Sequence, residues 1–110
     1  MLPKSQRLST SEVEDVMSKG QAVFGDLFLL KFLKNSTKGL KISAIAPKKV
    51  FPTAVERNKA RRRVYAALSP IYVERKPLLV AIIANKKVLI ATISEISSEI
   101  EQVFKKGGIL

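Results

Sequence analysis

The segment TAVERNKARRRVYAALS, residues 53–69, combines a helical pattern with the densest positive charge in the chain. Thr53, followed three residues later by Glu56, forms a capping-box pattern, in which the two side chains satisfy backbone N–H groups of the first helical turn. Pro70 disfavours a helical conformation of the residue before it and has no N–H group to donate. The pattern therefore predicts a helix over residues 54–68.

The predicted helix has a narrow apolar stripe formed by Ala60, Val64 and Ala67, at positions i, i+4 and i+7. Such small side chains would let the helix pack closely against a sheet. Tyr65 falls in a neighbouring row with Asn58, outside the stripe. The cationic positions of the helix are Arg57, Lys59, Arg61, Arg62 and Arg63. Because like charges three and four positions apart repel each other, a polyanionic partner would stabilise this helix.

Positive charge is concentrated in the middle of the chain. The whole sequence of 110 residues has a formal net charge of +11. Residues 41–87 contain twelve Lys and Arg but only two acidic residues, which gives this segment a net charge of +10. A surface of this kind attracts phosphate backbones through counterion release, whereas an ordinary solvated face mixes both signs. The charge distribution predicts a nucleic-acid partner.

Composition excludes several other classes of protein. The chain has no cysteine, which rules out a disulfide framework and fits a reducing compartment. Its first ten residues lack an apolar signal sequence, and Lys86 and Lys87 interrupt the most hydrophobic tract. We therefore expect a cytoplasmic protein with no membrane partner, folded as one domain over residues 1–110.

The N-terminal part of the chain predicts a short helix followed by two strands. Val13, Val16 and Met17 have helical spacing, and Gly20 is a suitable C-terminal cap. Residues 26–33, which include LFLLKFL, form a strand pattern buried on one face, and residues 40–46 form a second alternating strand. The turn residues NSTKG between them favour an antiparallel pair.

The C-terminal part predicts a buried strand and a closing helix. The run LLVAIIA, residues 78–84, is typical of a strand buried on both faces, and a parallel partner would make a strand–helix–strand crossover. Residues 88–93 could form a hairpin strand or a loop. Thr92 and Glu95 then form a second capping-box pattern, and apolar spacing predicts a final helix. The expected fold is an α+β, two-layer sandwich with a βαβ crossover.

At this point the chain resembles the protein subunit of bacterial ribonuclease P. The resemblance is strongest over KKVFPTAVERNKARRR, residues 48–63, which is similar to that family's Lys-Lys pair, short loop, Ala-Val and Arg-Asn-Arg signature. It extends more weakly to RLSTSEV, to the Gly20 helix end, to LFLLKFL and to the IIA of the later strand. Lys59 stands where the family usually has the second arginine of its signature, and Val13 and Met17 stand near its usual aromatic positions.

The resemblance implies a protein that binds the catalytic RNA subunit and the 5′ leader of precursor tRNA in a ribonucleoprotein endonuclease. On this basis we expect contacts to the RNA subunit from Lys48, Lys49, Arg57, Asn58, Lys59, Arg61, Arg62 and Lys86. We expect contacts to the leader from Val13, Met17, Leu29 and Lys31. The resemblance also implies a ribosomal-protein-like fold and magnesium ions bound mainly by the RNA.

The residues themselves do not predict a catalytic site or a metal site on the protein. The chain has no histidine, and the basic segment contains only Glu56 and Glu74 as carboxylates, so neither acid–base cleavage nor two-metal hydrolysis has the groups it needs. A non-catalytic RNA-binding module such as a small ribosomal protein is the alternative. A helix-turn-helix DNA binder is disfavoured because no second helix is predicted close to residues 54–68.

Overall fold

A computed structural model describes residues 7–34, 41–68 and 78–108 of the chain. The helices are α1 (Thr10–Lys19), α2 (Ala54–Leu68) and α3 (Ile93–Lys106), and the strands are β1 (Gln21–Phe24), β2 (Phe28–Lys34), β3 (Lys41–Ile45) and β4 (Leu78–Ala84). A short 3₁₀ helix, Lys86–Leu89, follows β4. This mixed α+β architecture confirms the predicted fold class, and none of the helices in these described ranges has the length and apolarity needed to cross a membrane.

The four strands form one sheet in the order β1-β2-β4-β3. Strand β4 pairs antiparallel with β2 and parallel with β3, so α2 makes the predicted βαβ crossover. The expected antiparallel pairing of β2 with β3 is wrong, because β4 lies between them. The physical reason is burial: six of the seven residues of β4 are buried, and a strand that is apolar on both faces is best accommodated in the sheet interior.

Strand β1 was not predicted from the sequence. It has only four residues, three of them exposed, and forms a hairpin with β2 at the sheet edge. The pattern QAVF is too short to be recognised as a strand without its partner.

The sequence left open whether the segment after β4 forms a hairpin strand or a loop. It does not form a hairpin strand, because residues 86–89 form a 3₁₀ helix. Asn85 caps this helix by accepting a hydrogen bond from the Lys87 N–H group (2.9 Å).

The main core lies between one face of the sheet and helices α2 and α3. The stripe of α2 is fully buried, as predicted, and Ile96, Ile100, Val103 and Phe104 of α3 are buried beside it. Helix α2 has the predicted bounds, and the Thr53 hydroxyl accepts from the Glu56 N–H group (3.2 Å). The Glu56 carboxylate accepts from that hydroxyl instead of closing the box on the Thr53 backbone.

Helix α1 packs on the opposite face of the sheet. Its Val16 is fully buried against Leu79 and Ala81 of β4, and the helix begins with a complete capping box between Ser9 and Glu12. A side chain at Gly20 would collide with the Val16 carbonyl oxygen and lie 3.0 Å from that of Phe32. The close approach of the two chain segments at this position therefore requires glycine.

Candidate nucleic-acid interface

Two basic segments leave the sheet at the same end, where strands β3 and β4 terminate. Strands β3 and β4 are parallel neighbours, with Ile45 opposite Ile83, so their carboxyl ends lie side by side. Lys48 and Lys49 follow β3 in a turn, and Lys86 follows β4 in the 3₁₀ helix. The fold therefore places lysines that are almost forty residues apart in the sequence at the same end of the sheet, and all three are exposed.

The turn that carries Lys48 and Lys49 is anchored from inside the protein. Phe51 is fully buried in the core, and its N–H group donates to the Pro47 carbonyl oxygen (2.9 Å). Arg57, from the first turn of α2, donates through one guanidinium nitrogen to the carbonyl oxygens of Phe51 (2.9 Å) and Pro52 (3.1 Å). Arg57, which was predicted to contact RNA, thus fixes the entry into α2, and its other guanidinium N–H groups make no hydrogen bond within the described residues.

The outward face of α2 carries the other predicted RNA ligands. Lys59 and Arg62 are exposed and, within the described part of the chain, make no hydrogen bond or ion pair. Arg61 donates to the side-chain oxygen of Asn58. With its oxygen occupied, Asn58 presents its NH₂ group as a donor. We call the surface formed by these groups the cationic surface; it comprises Lys48, Lys49, Arg57, Asn58, Lys59, Arg61, Arg62, Lys86 and the exposed Lys87.

The four residues predicted to contact the leader are only partly brought together. The Lys31 ammonium donates to the Met17 carbonyl oxygen (2.9 Å), where a cation complements the negative end of α1. The Met17 side chain is 39% exposed, and Leu29 is half-buried on the same sheet face as Lys31. Val13 is half-buried and lines a separate groove.

This groove, of about 540 Å³, runs between the start of α1, the edge strand β3 and α2. Val13, Lys41 and Arg61 are among the residues that line it. It therefore connects a residue predicted to contact the leader with one predicted to contact the RNA subunit. Residues that sequence reasoning did not select also line it, including Ile45 and Tyr65.

Tyr65 lies inside the protein, contrary to its predicted position beside Asn58. It is buried, and its hydroxyl accepts from the Ala44 N–H group of β3 (3.0 Å). The buried face of α2 is wider than the small-residue stripe because an edge strand, which has free backbone donors, lies next to it. The sequence contained one signal for this burial: Tyr65 directly follows Val64 of the apolar stripe. A tyrosine ring is apolar and favours burial where its hydroxyl group finds a hydrogen-bond partner.

An ion pair closes one wall of the groove. The Glu12 carboxylate accepts from the Ser9 N–H group (2.8 Å) and lies 3.2 Å from the Lys41 ammonium. The hydrogen bond from the Ser9 backbone lowers the pKa of Glu12, with a further contribution from Lys41 and opposition from burial. Glu12 is therefore ionised at neutral pH, and its charge is used within the protein.

Several acidic side chains of the described residues accept hydrogen bonds from backbone N–H groups. Glu95 accepts from the Thr92 N–H group, and Glu99 accepts from the N–H groups of Asp26 and Leu27 in the β1–β2 turn. In the described ranges, no group of three or more acidic, histidine or cysteine side chains could hold a metal ion.

Comparisons with known proteins agree with this fold. The solved structure of the Staphylococcus aureus RNase P protein matches with a TM-score of 0.79 at 20% identity, covering 96% of this chain and 98% of that one. The Thermotoga maritima RNase P protein matches with a TM-score of 0.76 at 20% identity, covering 91% and 96%. Curated protein sequences gave no match. At this identity the two structures support the fold alone.

The family comparison covers almost the entire sequence. The family model described as Ribonuclease P matches residues 2–108, a range that includes all the elements described above. The predicted resemblance is thereby confirmed: this chain belongs to the ribonuclease P protein family.

Proposed function

We propose that this component of ribonuclease P binds the catalytic RNA subunit through its cationic surface and assists removal of the 5′ leader from precursor tRNA. The observation that carries the proposal is that two turns with exposed lysines leave the sheet at the same end, while the outward face of α2 adds the exposed Lys59 and Arg62. Several of these cations have no partner within the described residues, whereas Glu12, Glu95 and Glu99 accept hydrogen bonds from the backbone. A phosphate backbone supplies the missing counter-charge.

The protein would act by neutralising phosphates where two RNA molecules meet. Substrate and RNA subunit repel each other, and fixed ammonium and guanidinium groups reduce this repulsion without the need to condense as many mobile ions. The reaction itself is assigned to the RNA subunit with its magnesium ions, because the acidic side chains described above are used in caps and turns. Since the substrate is a transcript, we expect this assembly in the cytoplasm.

Asn58 would contribute a contact that charge alone does not provide. Arg61 occupies its side-chain oxygen, so its NH₂ group is oriented as a donor next to the guanidinium. An amide donor and a guanidinium side by side can hold two oxygens of one phosphate. This arrangement favours a defined contact over a diffuse attraction.

The leader would follow the groove lined by Val13 and Arg61 and continue towards Met17. Single-stranded RNA is bound by a combination of cations that follow the backbone and apolar surfaces that contact bases. Val13, Met17 and Leu29 provide apolar contact without aromatic stacking. Lys31 would provide a cation close to this path, although its ammonium already donates to the Met17 carbonyl oxygen.

The test is reconstitution with a bacterial ribonuclease P RNA and a precursor tRNA. At low magnesium concentration we expect cleavage at the mature 5′ end only when protein and RNA are both present, and at high magnesium concentration by the RNA alone. Asn58→Ala should reduce cleavage more at low than at high magnesium. The matched control is Gln102→Ala, which removes an exposed amide from α3, a helix that contributes no residue to the cationic surface.

Three results would contradict the proposal. Cleavage at the correct site by protein free of RNA would show that the chemistry does not belong to the RNA. An Asn58→Ala defect of the same size at all magnesium concentrations would show that Asn58 does not assist phosphate neutralisation. Failure of the protein to bind or activate the RNA would favour another RNA-binding function.

A further inference from the structure

Arg63 differs from the other cations of α2 because its guanidinium is directed into the protein. Its Nε donates to the Val88 carbonyl oxygen (2.9 Å), and a terminal nitrogen donates to the Ala91 carbonyl oxygen. Both acceptors lie at the C-terminal end of the 3₁₀ helix Lys86–Leu89 or just beyond it. The side chain is half-buried, whereas the neighbouring Arg62 is exposed.

The two carbonyl groups have no helical partner of their own. If the 3₁₀ helix continued as an α-helix, the Thr92 N–H group would bond to the Val88 carbonyl, but it donates to Glu95 instead (2.8 Å). Ala91 directly precedes the N-cap of α3. A cation at carbonyls that end a helical turn is electrostatically favourable, and leaving such carbonyls unpaired is costly.

The other end of this turn is also held. Asn85 donates through its backbone N–H to the Leu27 carbonyl oxygen (3.0 Å) and through its side chain to that of Asp26. The segment that contains the 3₁₀ helix is therefore hydrogen-bonded at its start to the β1–β2 turn and at its end to α2. Lys86 and Lys87, both exposed, lie between these two fastening points.

We propose that Arg63 is a positioning residue that holds the turn carrying Lys86 and Lys87 next to α2 and does not itself bind a phosphate. The inference rests on the proposed function, because it concerns how part of the cationic surface is presented. A lysine on a mobile turn loses conformational entropy when it binds a phosphate. The hydrogen bonds from Arg63 already restrict the turn in the free protein, so less entropy is lost on binding. Lys87, which was not among the predicted RNA ligands, becomes one.

The experiment measures the salt dependence of binding to a bacterial ribonuclease P RNA transcript. Replacing Lys86 and Lys87 together by alanine should flatten the slope of log K against log salt by about 1.4 to 1.8, at roughly 0.7 to 0.9 for each lost contact. Arg63→Ala should flatten the slope by up to the same amount. In the K86A/K87A background, Arg63→Ala should change the slope no further.

Charge-conserving variants separate positioning from direct binding. Arg63→Lys keeps the charge but loses the fork that spans two carbonyls, so it should behave like Arg63→Ala. At the control position Arg62, lysine should keep most of the slope, and alanine should flatten it additively with K86A/K87A. Amide hydrogen exchange of residues 88–91, measured without RNA, should accelerate in both Arg63 variants and not in the Arg62 variants.

Each remaining outcome decides against the inference. An additive effect of Arg63→Ala in the K86A/K87A background, or retained binding in Arg63→Lys, would make Arg63 a direct ligand. Positions 86 and 87 are exposed, so we expect the K86A/K87A variant to fold. An unchanged slope in this variant would show that the turn does not contact the RNA, even if the Arg63 variants do not fold. Failure of the unaltered protein to bind the RNA would overturn the proposed function itself, and the exchange data would still report whether Arg63 fastens the turn.

Discussion

The two faces of the sheet are covered very differently. One face packs against α2 and α3 in a continuous core that contains fully buried side chains from both helices, such as Val64 and Phe104. The other face has a single helix, α1, and within the described residues its cluster contains only Val16, Leu79 and Ala81 as buried members. The first face supports the fold, and the second leaves half-covered apolar surface beside a groove.

We expect the two faces of the sheet to have different roles in the proposed function. A close-packed face gives rigidity, which allows α2 to present its cations in a defined arrangement. A sparsely covered face can accommodate a flexible polymer without displacing core side chains. The comparison can be tested by measuring how strongly each face contributes to the free energy of unfolding.

The largest effect is expected from Phe104→Ala on the α3 side. The side chain is fully buried, and its removal should lower the free energy of unfolding by about 3 to 5 kcal/mol. Urea denaturation would measure this loss. The control is Met17→Ala on the α1 side, where a side chain that is 39% exposed should contribute less than about 1 kcal/mol. Equal losses at the two positions would contradict the comparison.

An intermediate effect is expected from Val16→Ala, which removes the buried anchor of α1. The loss should be about 2 kcal/mol, since two methyl groups are withdrawn from a small cluster. If α1 is held mainly by this contact, amide exchange in α1 should accelerate while exchange in α3 stays slow. Uniform acceleration in both helices would show that the two faces unfold as one unit.

The smallest effect concerns the capping carboxylates Glu12 of α1 and Glu95 of α3. Folding lowers the pKa of both below the ordinary value of 4.5, in each case mainly through the N–H group of the cap residue. A lowered pKa means that each carboxylate stabilises the folded protein above pH 4.5, and that this contribution is lost as the pH falls through the folded-state pKa.

Replacement of either carboxylate by glutamine should therefore reduce stability at pH 7 and have progressively less effect as the pH falls below 4.5. The Glu12→Gln effect should diminish more than the Glu95→Gln effect at high salt concentration, because Lys41 contributes to the shift of Glu12 alone. Urea denaturation between pH 3 and pH 7 at two salt concentrations would measure both effects. An equal response to salt at the two sites would show that Lys41 does not contribute to the stabilisation by Glu12.

Local chemistry in the sequence was sufficient for the three α-helices but not for the 3₁₀ helix. The bounds of α2 follow from Thr53 and Pro70, and the start and buried face of α3 follow from Thr92 and its apolar spacing, because caps and periodicity act within a few residues. The same applies to the cationic character of α2. Non-local pairing could not be obtained in this way, and the position of β4 between β2 and β3 was accordingly missed.

The sequence by itself determined the bounds of α2, the start of α3, the charge that predicts an RNA partner and the membership of the family. Tertiary structure alone decided the strand order, the burial of Tyr65, and which guanidinium groups face outward. The physical reason is that propensity, capping and charge depend on neighbouring residues. The direction of Arg63, by contrast, depends on two carbonyl groups more than twenty residues away, which only the folded chain brings within hydrogen-bonding distance.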